Sequence, residues 1–124
     1  MYIHANPNPN GKYVEDCVIR AISIVTNRAW DDIYIHLCLQ GFIMKNMPSA
    51  NKVWGTYLSS IGFTSAPIFG RCPDCYTVRD FCMDNPYGTY ILATGSHVIA
   101  VIDGDYYDAW DSGDELPTTV WRRE

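Results

Sequence analysis

The sequence predicts a single α+β domain over residues 1–124, with helices in its first part and an antiparallel sheet in its last part. Its 124 residues fit one domain of common size, and 48% hydrophobic residues, with 14% aromatic ones, can form a core. Apolar residues recur at helical spacing up to about Pro86, whereas β-branched and aromatic residues dominate after it. Strands that follow helices, rather than alternate with them, are typical of the α+β class.

Four helices are predicted, after an extended or looping arm at residues 1–13 in which Asn, Pro and Gly disfavour helix. The first helix carries Cys17 near its start on a wide apolar face, and Arg20 and Ser23 are expected on the opposite face. The predicted helices span residues 16–26, about 30–40 with Gly41 as the stop, 49–62 with Ser49 as the cap, and 77–85 with a capping box at its start.

Three strands are predicted at residues 89–93, 97–102 and 106–110, and Asp103-Gly104-Asp105 forms the hairpin loop between the last two. With a three-residue loop, His97 faces Asp111, and the roots of the two side chains are about 5 Å apart. A register changed by one residue would direct Trp110 or Ser112 at the histidine instead.

Cys17, His97 and Asp111 form a candidate catalytic triad. A thiol at a helix N-terminus lies at the positive end of the helix dipole, which favours the thiolate. An adjacent imidazole would complete an ion pair with it and later deliver a proton to a leaving group. Asp111 would orient the imidazole, as the third member of a triad does.

The order of these residues along the chain resembles that of papain-like cysteine peptidases: Cys at an early helix start, His on a later strand and Asp on the next. The blocks at residues 16–22 (DCVIRAI), 97–104 (HVIAVIDG) and 107–112 (YDAWDS) further resemble a group of small uncharacterised proteins of bacteria and their phages. The resemblance implies a papain-like fold, in which N-terminal helices pack on a C-terminal antiparallel sheet.

The papain-like pattern also implies an amide side chain upstream of Cys17 that helps to hold the oxyanion. Asn8 and Asn10 are the candidates, and the resemblance to the bacterial and phage group favours Asn8. Trp110 and Asp16 border the predicted triad and are the candidate substrate-binding residues. A carboxylate at Asp16 is also expected to raise the pKa of the Cys17 thiol.

Composition and motifs weigh against several other functions. The 9 Lys and Arg against 14 Asp and Glu, without a basic cluster, argue against nucleic-acid binding. The chain shows no secretory signal and no apolar run of membrane-spanning length, so a cytoplasmic protein with reduced thiols and no disulfide framework is expected. Asp103 does not begin an EF-hand, because the required Gly is replaced by Asp108.

The sequence therefore predicts a thiol hydrolase that acts on an amide or related acyl bond of a peptide, protein or small amide, with no cofactor and no metal. The alternative is a non-catalytic binding module of the same fold, derived from a phage, that sequesters a peptide, a small ligand or a host protein. A third hypothesis is an interaction protein stabilised by a zinc ion bound to Cys72, Cys75 and Cys82. The sequence offers no fourth zinc ligand at suitable spacing, which argues against this hypothesis.

Overall fold

The computed structural model describes residues 1–68, 70–72 and 74–123, and these residues form four helices and six strands. The elements in chain order are β1 (Tyr2–His4), α1 (Cys17–Thr26), α2 (Trp30–Met44), α3 (Asn51–Ser60), β2 (Phe63–Pro67), α4 (Val78–Asp84), β3 (Thr89–Ala93), β4 (Val98–Ile102), β5 (Asp105–Asp108) and β6 (Thr119–Arg123). The α+β class predicted from the sequence is confirmed.

The described strands form one mixed sheet in the order β1-β5-β4-β3-β6-β2. β1 runs parallel to β5, and the other neighbouring strands are antiparallel. The N-terminal arm therefore begins with a strand at the sheet edge. Just after β1, the N–H of Ala5 donates to the carbonyl of Asp108 at 2.8 Å, which ties the arm to the end of β5.

Helices cover both faces of the central strands, so β4 has an apolar core on each side. Val98 and Ala100 of β4 pack in the core cluster that includes α1, α2 and α3. Ile99 and Val101 alternate with them and pack in a second cluster with α4. Because both faces of β4 are covered, all of its side chains are apolar, which explains the sequence Val-Ile-Ala-Val-Ile.

Helix α2 continues to Met44, because Gly41 is an interior residue and not the predicted stop. Gly41 is buried against the following loop, and a Cβ at this position would lie 2.6 Å from the carbonyl oxygen of Asn46. The helix ends at Lys45, whose φ of 56° forms a left-handed C-cap. Neither α2 nor any other helix among the described residues is long and apolar enough to cross a bilayer.

The starts of α3 and α4 differ in how well the sequence predicts them. Ala50, and not Ser49, is the N-cap of α3, and its side chain makes no capping bond. The capping box of α4 is confirmed: Thr77 Oγ1 accepts from the Asp80 N–H at 3.2 Å, and the Asp80 carboxylate accepts from the Thr77 N–H at 3.0 Å. Two reciprocal side-chain bonds are a stronger sequence signal than a lone serine.

Strands β2 and β6 are absent from the sequence prediction. They pair antiparallel with each other, and β6 also pairs with β3, so β6 lies inside the sheet and β2 at its edge. β2 reads Phe-Thr-Ser-Ala-Pro and buries only its first residue, which gives it no apolar alternation. Pro67 ends this strand at the sheet edge, where a missing N–H is tolerated.

Cys72 and Cys75 are joined by a disulfide, which contradicts the expectation of reduced thiols throughout. Their Cα atoms are 5.4 Å apart, a separation that a disulfide spans readily. The remaining cysteines, Cys17, Cys38 and Cys82, are free.

Candidate active site

Cys17 is the first residue of α1 and is partly buried. Asp16 occupies the N-cap position, yet its side chain makes no capping hydrogen bond. Its carboxylate instead accepts from the guanidinium of Arg20 and from the indole N–H of Trp30, the latter at 2.9 Å. The first-turn N–H groups beside Cys17 are therefore left without a side-chain cap.

His97 directly precedes β4 and is held by the turn that connects β3 to β4. Its backbone N–H donates to Thr94 Oγ1 at 3.1 Å, and its carbonyl accepts from the Thr94 N–H at 2.9 Å. Its side chain is only 10% exposed. The turn therefore fixes the backbone from which the imidazole projects.

The hairpin that joins β4 to β5 has a two-residue turn and not the predicted three-residue loop. Asp103 and Gly104 form the turn with φ angles of 49° and 81°, as a type I′ turn requires. The shorter loop shifts the register by one residue, and its continuation places Trp110, not Asp111, opposite His97. The two rings stack with their centroids 4.6 Å apart, so the predicted proximity of Trp110 to the histidine is confirmed.

The carboxylate that contacts His97 belongs to Asp108, the last residue of β5. The Nε2 of His97 lies 2.6 Å from Asp108 Oδ2. The same oxygen accepts from the Ser112 hydroxyl at 2.7 Å, while Oδ1 accepts from the Ala109 N–H at 2.8 Å and from Arg20 at 3.1 Å. Asp108 is 3% exposed, and these donors compensate its buried charge.

The predicted pairing of Asp111 with His97 is wrong. Asp111 accepts from the Tyr106 hydroxyl at 2.6 Å and from Arg79 at 3.2 Å, on a side chain that is 46% exposed. The hydrogen bond from Tyr106 is the main reason that the pKa of Asp111 is lowered. Burial and this hydrogen bond raise the pKa of Tyr106 to about 12.

The thiol of Cys17 and the imidazole of His97 both line the cavity, and each favours the charged form of the other. Burial is the largest single influence on Cys17 and raises its pKa, but the hydrogen bond and charge of His97, the Val98 N–H and the charge of Arg20 outweigh it and lower the pKa. Burial likewise acts to lower the pKa of His97, but hydrogen bonds with Asp108 and Cys17 raise it to about 9. Both shifts favour a thiolate–imidazolium pair near neutral pH.

The pKa of Asp108 is lowered although burial alone would raise it, because hydrogen bonds from His97 and Ser112 favour the carboxylate. Nε2 of His97 is bonded to this carboxylate, so the other ring nitrogen is the one left for Cys17. Cys17, His97 and Asp108 thus bring a thiol, an imidazole and a buried carboxylate together, which are the groups that a thiol-dependent catalytic triad requires.

Arg20 extends this chain from the sheet back to the start of α1. It is 6% exposed and pairs with both Asp16 and Asp108, and its buried Nε has no hydrogen-bond partner among the described residues. The sequence places Arg20 and Ser23 opposite the apolar face of α1, and the structure shows that both are buried. The signal for Arg20 in the sequence is its spacing of four residues from Asp16, which favours an ion pair on a helix.

Asp16 and Asn8 both have local partners. The carboxylate of Asp16 lines the cavity beside Cys17 and is already bonded to Arg20 and Trp30. The pKa of Cys17 is lowered, and not raised as expected from a nearby carboxylate, mainly because His97 outweighs the effect of burial. The Asn8 side-chain oxygen accepts from the N–H groups of Asn10 at 2.9 Å and Lys12 at 3.4 Å. Asn8 is not among the cavity-lining residues, and its role as an oxyanion donor stays a prediction.

A cavity of about 650 Å³ opens beside Cys17 and His97. Its wall is mainly apolar and comes from α1, α2, α3, β6 and the turn before His97. The largest apolar residues that line it are Tyr34, Leu37, Met47, Trp54 and Trp121. A volume in this range suits a small molecule or a short stretch of chain. Trp110 covers the histidine ring without lining this cavity.

The described residues contain no cluster of three or more His, Cys, Asp and Glu side chains arranged to hold a metal ion. Cys72 and Cys75, which a zinc site would need as thiolates, are bonded to each other. Burial raises the pKa of Cys82 to about 11, so this residue holds its proton near neutral pH.

Comparison with known proteins gave no match to a family model, to a curated protein or to a solved structure.

Proposed function

We propose that the protein is a thiol hydrolase that cleaves an amide or a related acyl bond, with Cys17 as nucleophile, His97 as acid and base, and Asp108 as the orienting carboxylate. The observation that carries the proposal is the 2.6 Å contact between His97 and Asp108 beside Cys17 at the wall of a cavity. The influence of His97 on the thiol, which lowers the pKa of Cys17, supports the same assignment. The proposal keeps two members of the predicted triad and replaces Asp111 with Asp108.

In the first half-reaction the Cys17 thiolate attacks the carbonyl carbon, so a C–S bond forms and the carbonyl electrons move to oxygen. Collapse of this intermediate breaks the bond to the leaving group, which takes the proton of His97. The products are a thioester on Cys17 and a free amine or alcohol. His97 must be charged before the attack and neutral after it, and its hydrogen bond to Asp108 favours the charged form.

In the second half-reaction neutral His97 accepts a proton from water while the water oxygen adds to the thioester carbonyl. The C–S bond then breaks and the sulfur leaves as thiolate. A carboxylic acid is released, and the thiolate–imidazolium pair is restored. Asp108 retains its charge throughout, because its role is to fix the ring and to stabilise the imidazolium.

The oxyanion of both intermediates would be held by backbone N–H groups at the start of α1. Val18 and Ile19 line the cavity next to Cys17, and the carboxylate at the N-cap is drawn away from their N–H groups by Arg20 and Trp30. Free N–H groups aimed at a developing negative charge are the usual means of stabilising it. Asn8 would be an additional donor only if the arm rearranges.

We further propose that the fold is papain-like. The support is the order of the site along the chain: Cys17 at the start of an early helix, His97 before a strand and Asp108 at the end of the next strand. The site stays the basis for function, because architecture alone does not define chemistry.

The direct test is to detect an acyl-enzyme. The protein is incubated with p-nitrophenyl acetate and, separately, with a library of peptide amides that bear a fluorogenic leaving group, and covalent adducts are located by peptide mass spectrometry. The expected result is release of the leaving group together with an acyl adduct on Cys17. Cys17→Ala should abolish both, while the matched variant Cys38→Ala, which removes another free thiol, should retain both.

Hydrolysis that survives in Cys17→Ala would contradict the proposal. An intact, folded protein that forms no adduct with any substrate would also contradict it and would favour the non-catalytic binding module. Asp111→Ala serves as a second control, because Asp111 pairs with Arg79 and Tyr106 and not with His97.

A further inference from the structure

We infer that the cavity beside Cys17 selects a neutral substrate with a large apolar group, aromatic or branched aliphatic, next to the scissile bond, and rejects anionic groups. This inference rests on the proposed function for the position of the scissile bond. The selectivity itself follows from the cavity wall and is testable without turnover.

The far wall of the cavity is built from two tryptophans that the fold holds in place. Trp54 is 4% exposed, and its indole N–H donates to Asn51 at 3.2 Å, so its polar group is satisfied and its ring is left to pack. The ring centroids of Trp121 and Trp54 are 5.9 Å apart, and the angle between the two ring planes is 58°. Gly55 permits this approach, because a Cβ there would lie 3.2 Å from the Trp121 ring.

The floor and the mouth of the cavity are also apolar. Leu37 of α2 is 1% exposed and closes the floor. Met47 and Tyr34 lie at the mouth with 68% and 47% of their surfaces exposed. A substrate that covers these two side chains removes apolar surface from water, which favours binding by roughly 25 cal/mol per Å².

The charges around the cavity disfavour an anion. Neither Lys nor Arg is among the described residues that line it, and the only lining cation is the His97 imidazolium, already paired with Asp108 and Cys17. Glu15 adds an exposed acidic group to the lining, and the carboxylate of Asp16, which also lines the cavity, is already paired with Arg20. A carboxylate on the substrate would therefore lose hydration without gaining a cationic partner.

The test measures how fast Cys17 is alkylated by three chloroacetamides that share one reactive group: the N-phenethyl, the N-carboxymethyl and the unsubstituted compound. In each reaction the sulfur displaces chloride, so one C–S bond forms and one C–Cl bond breaks. Each rate is divided by the rate of the same probe with glutathione. We expect the N-phenethyl probe to label Cys17 about tenfold faster than the N-carboxymethyl probe after this correction.

Two substitutions of nearly equal exposure provide a matched pair. Met47→Lys places a cation at the mouth of the cavity, whereas Ile43→Lys places one on α2 at a residue that is 66% exposed and does not line the cavity. Met47→Lys should reduce the preference for the phenethyl probe several-fold, and Ile43→Lys should leave it unchanged. Equal corrected rates for all three probes, or equal effects of the two variants, would overturn the inference.

Measurement at both neutral and strongly alkaline pH separates this inference from the proposed function. At alkaline pH any accessible thiol is ionised, so the ratio between probes reports the cavity alone. If all probes label slowly at neutral pH and His97→Ala has no effect, the hydrolase proposal fails. The ratio of the probe rates at alkaline pH still shows whether the cavity prefers the apolar probe. If labelling at neutral pH is fast but the probes do not differ, the inference alone fails.

Discussion

At the scale of single residues, Asp108 is the charged neighbour that most favours the protonated form of His97. Burial of the ring acts to lower the pKa of His97, and the hydrogen bond to Asp108 is the largest of the effects that together raise it to about 9. The hydrogen bond and charge of His97 in turn favour the thiolate of Cys17. The ionisation of the Cys17 thiol therefore depends on the Asp108 carboxylate, which acts through His97.

Asp108→Asn should lower the pKa of His97 by about 1–3 units, the shift that loss of an adjacent opposite charge produces. Asparagine keeps the shape of the side chain and removes its charge. The measurement is a pH titration of the imidazole signals by NMR, with His97→Ala used to assign them among the 3 histidines. Asp111→Asn, the matched control, should leave the pKa of His97 unchanged. A larger effect from Asp111→Asn would restore the pairing predicted from the sequence.

Cys17 and His97 could be predicted as partners because each is a polar residue at the boundary of an apolar element. Asp108 could not be chosen over Asp111, because one residue of loop length decides on which face of the sheet Asp108 lies. The two-residue turn places it on the same face as His97, and a three-residue loop would place it on the other face. A two-residue turn and a three-residue loop are both compatible with Asp103-Gly104-Asp105, and they aim different side chains at the histidine. Helix periodicity places Arg20 opposite the apolar face of α1, but it does not contain the information that two buried carboxylates pair with it there.

At the scale of elements, Gly41 lets α2 pass close to the loop that follows it. The sequence suggests a helix stop at this glycine, since glycine is common there, but its packing against Asn46 depends on tertiary contacts that a local pattern does not contain. The same limit applies to β2 and β6, which form a sheet only by pairing with distant parts of the chain. By contrast, the capping box of α4 and the strands β3 to β5 carry local signals and were predicted.

Gly41→Ala should destabilise the protein by about 1–3 kcal/mol, the usual cost of overpacking. Helix propensity alone predicts the opposite sign, because alanine is favoured over glycine by about 1 kcal/mol within a helix. The new Cβ would lie 2.6 Å from a backbone oxygen, so the backbone must move. The free energy of unfolding, measured with urea, checks the sign. A Gly41→Ala variant that is more stable than the parent would contradict this prediction, because it would show that the loop between α2 and α3 moves away from the new Cβ at little cost.

At the scale of the whole molecule, the buried charges of Asp16, Arg20 and Asp108 join α1 to β5. Removal of one member would leave a buried charge without its partner, which is strongly destabilising. The network therefore couples the position of Cys17 on the helix to the position of His97 on the sheet. It also makes folding depend on the ionisation of Asp108.

Stability should decrease as the pH falls below about 4. The pKa of Asp108 is lower in the folded protein than the ordinary value of 3.8, so in acid the unfolded chain binds more protons than the folded one. The stabilisation is present above the unfolded pKa and is lost as the pH falls through the folded pKa. Urea unfolding at a series of acidic pH values checks this, and Asp108→Asn should show a shallower dependence. Equal slopes in the two proteins would mean that Asp108 is not ionised in the fold.

The measurement that tests the central claim most directly is the pH dependence of Cys17 alkylation by iodoacetamide, followed by peptide mass spectrometry in the parent and in His97→Ala. The account predicts fast labelling at about pH 6 that collapses in the variant, because the thiolate at that pH depends on the imidazolium. Slow labelling that rises only above about pH 8 and is indifferent to His97 would contradict it, because a cysteine with an ordinary pKa behaves in that way.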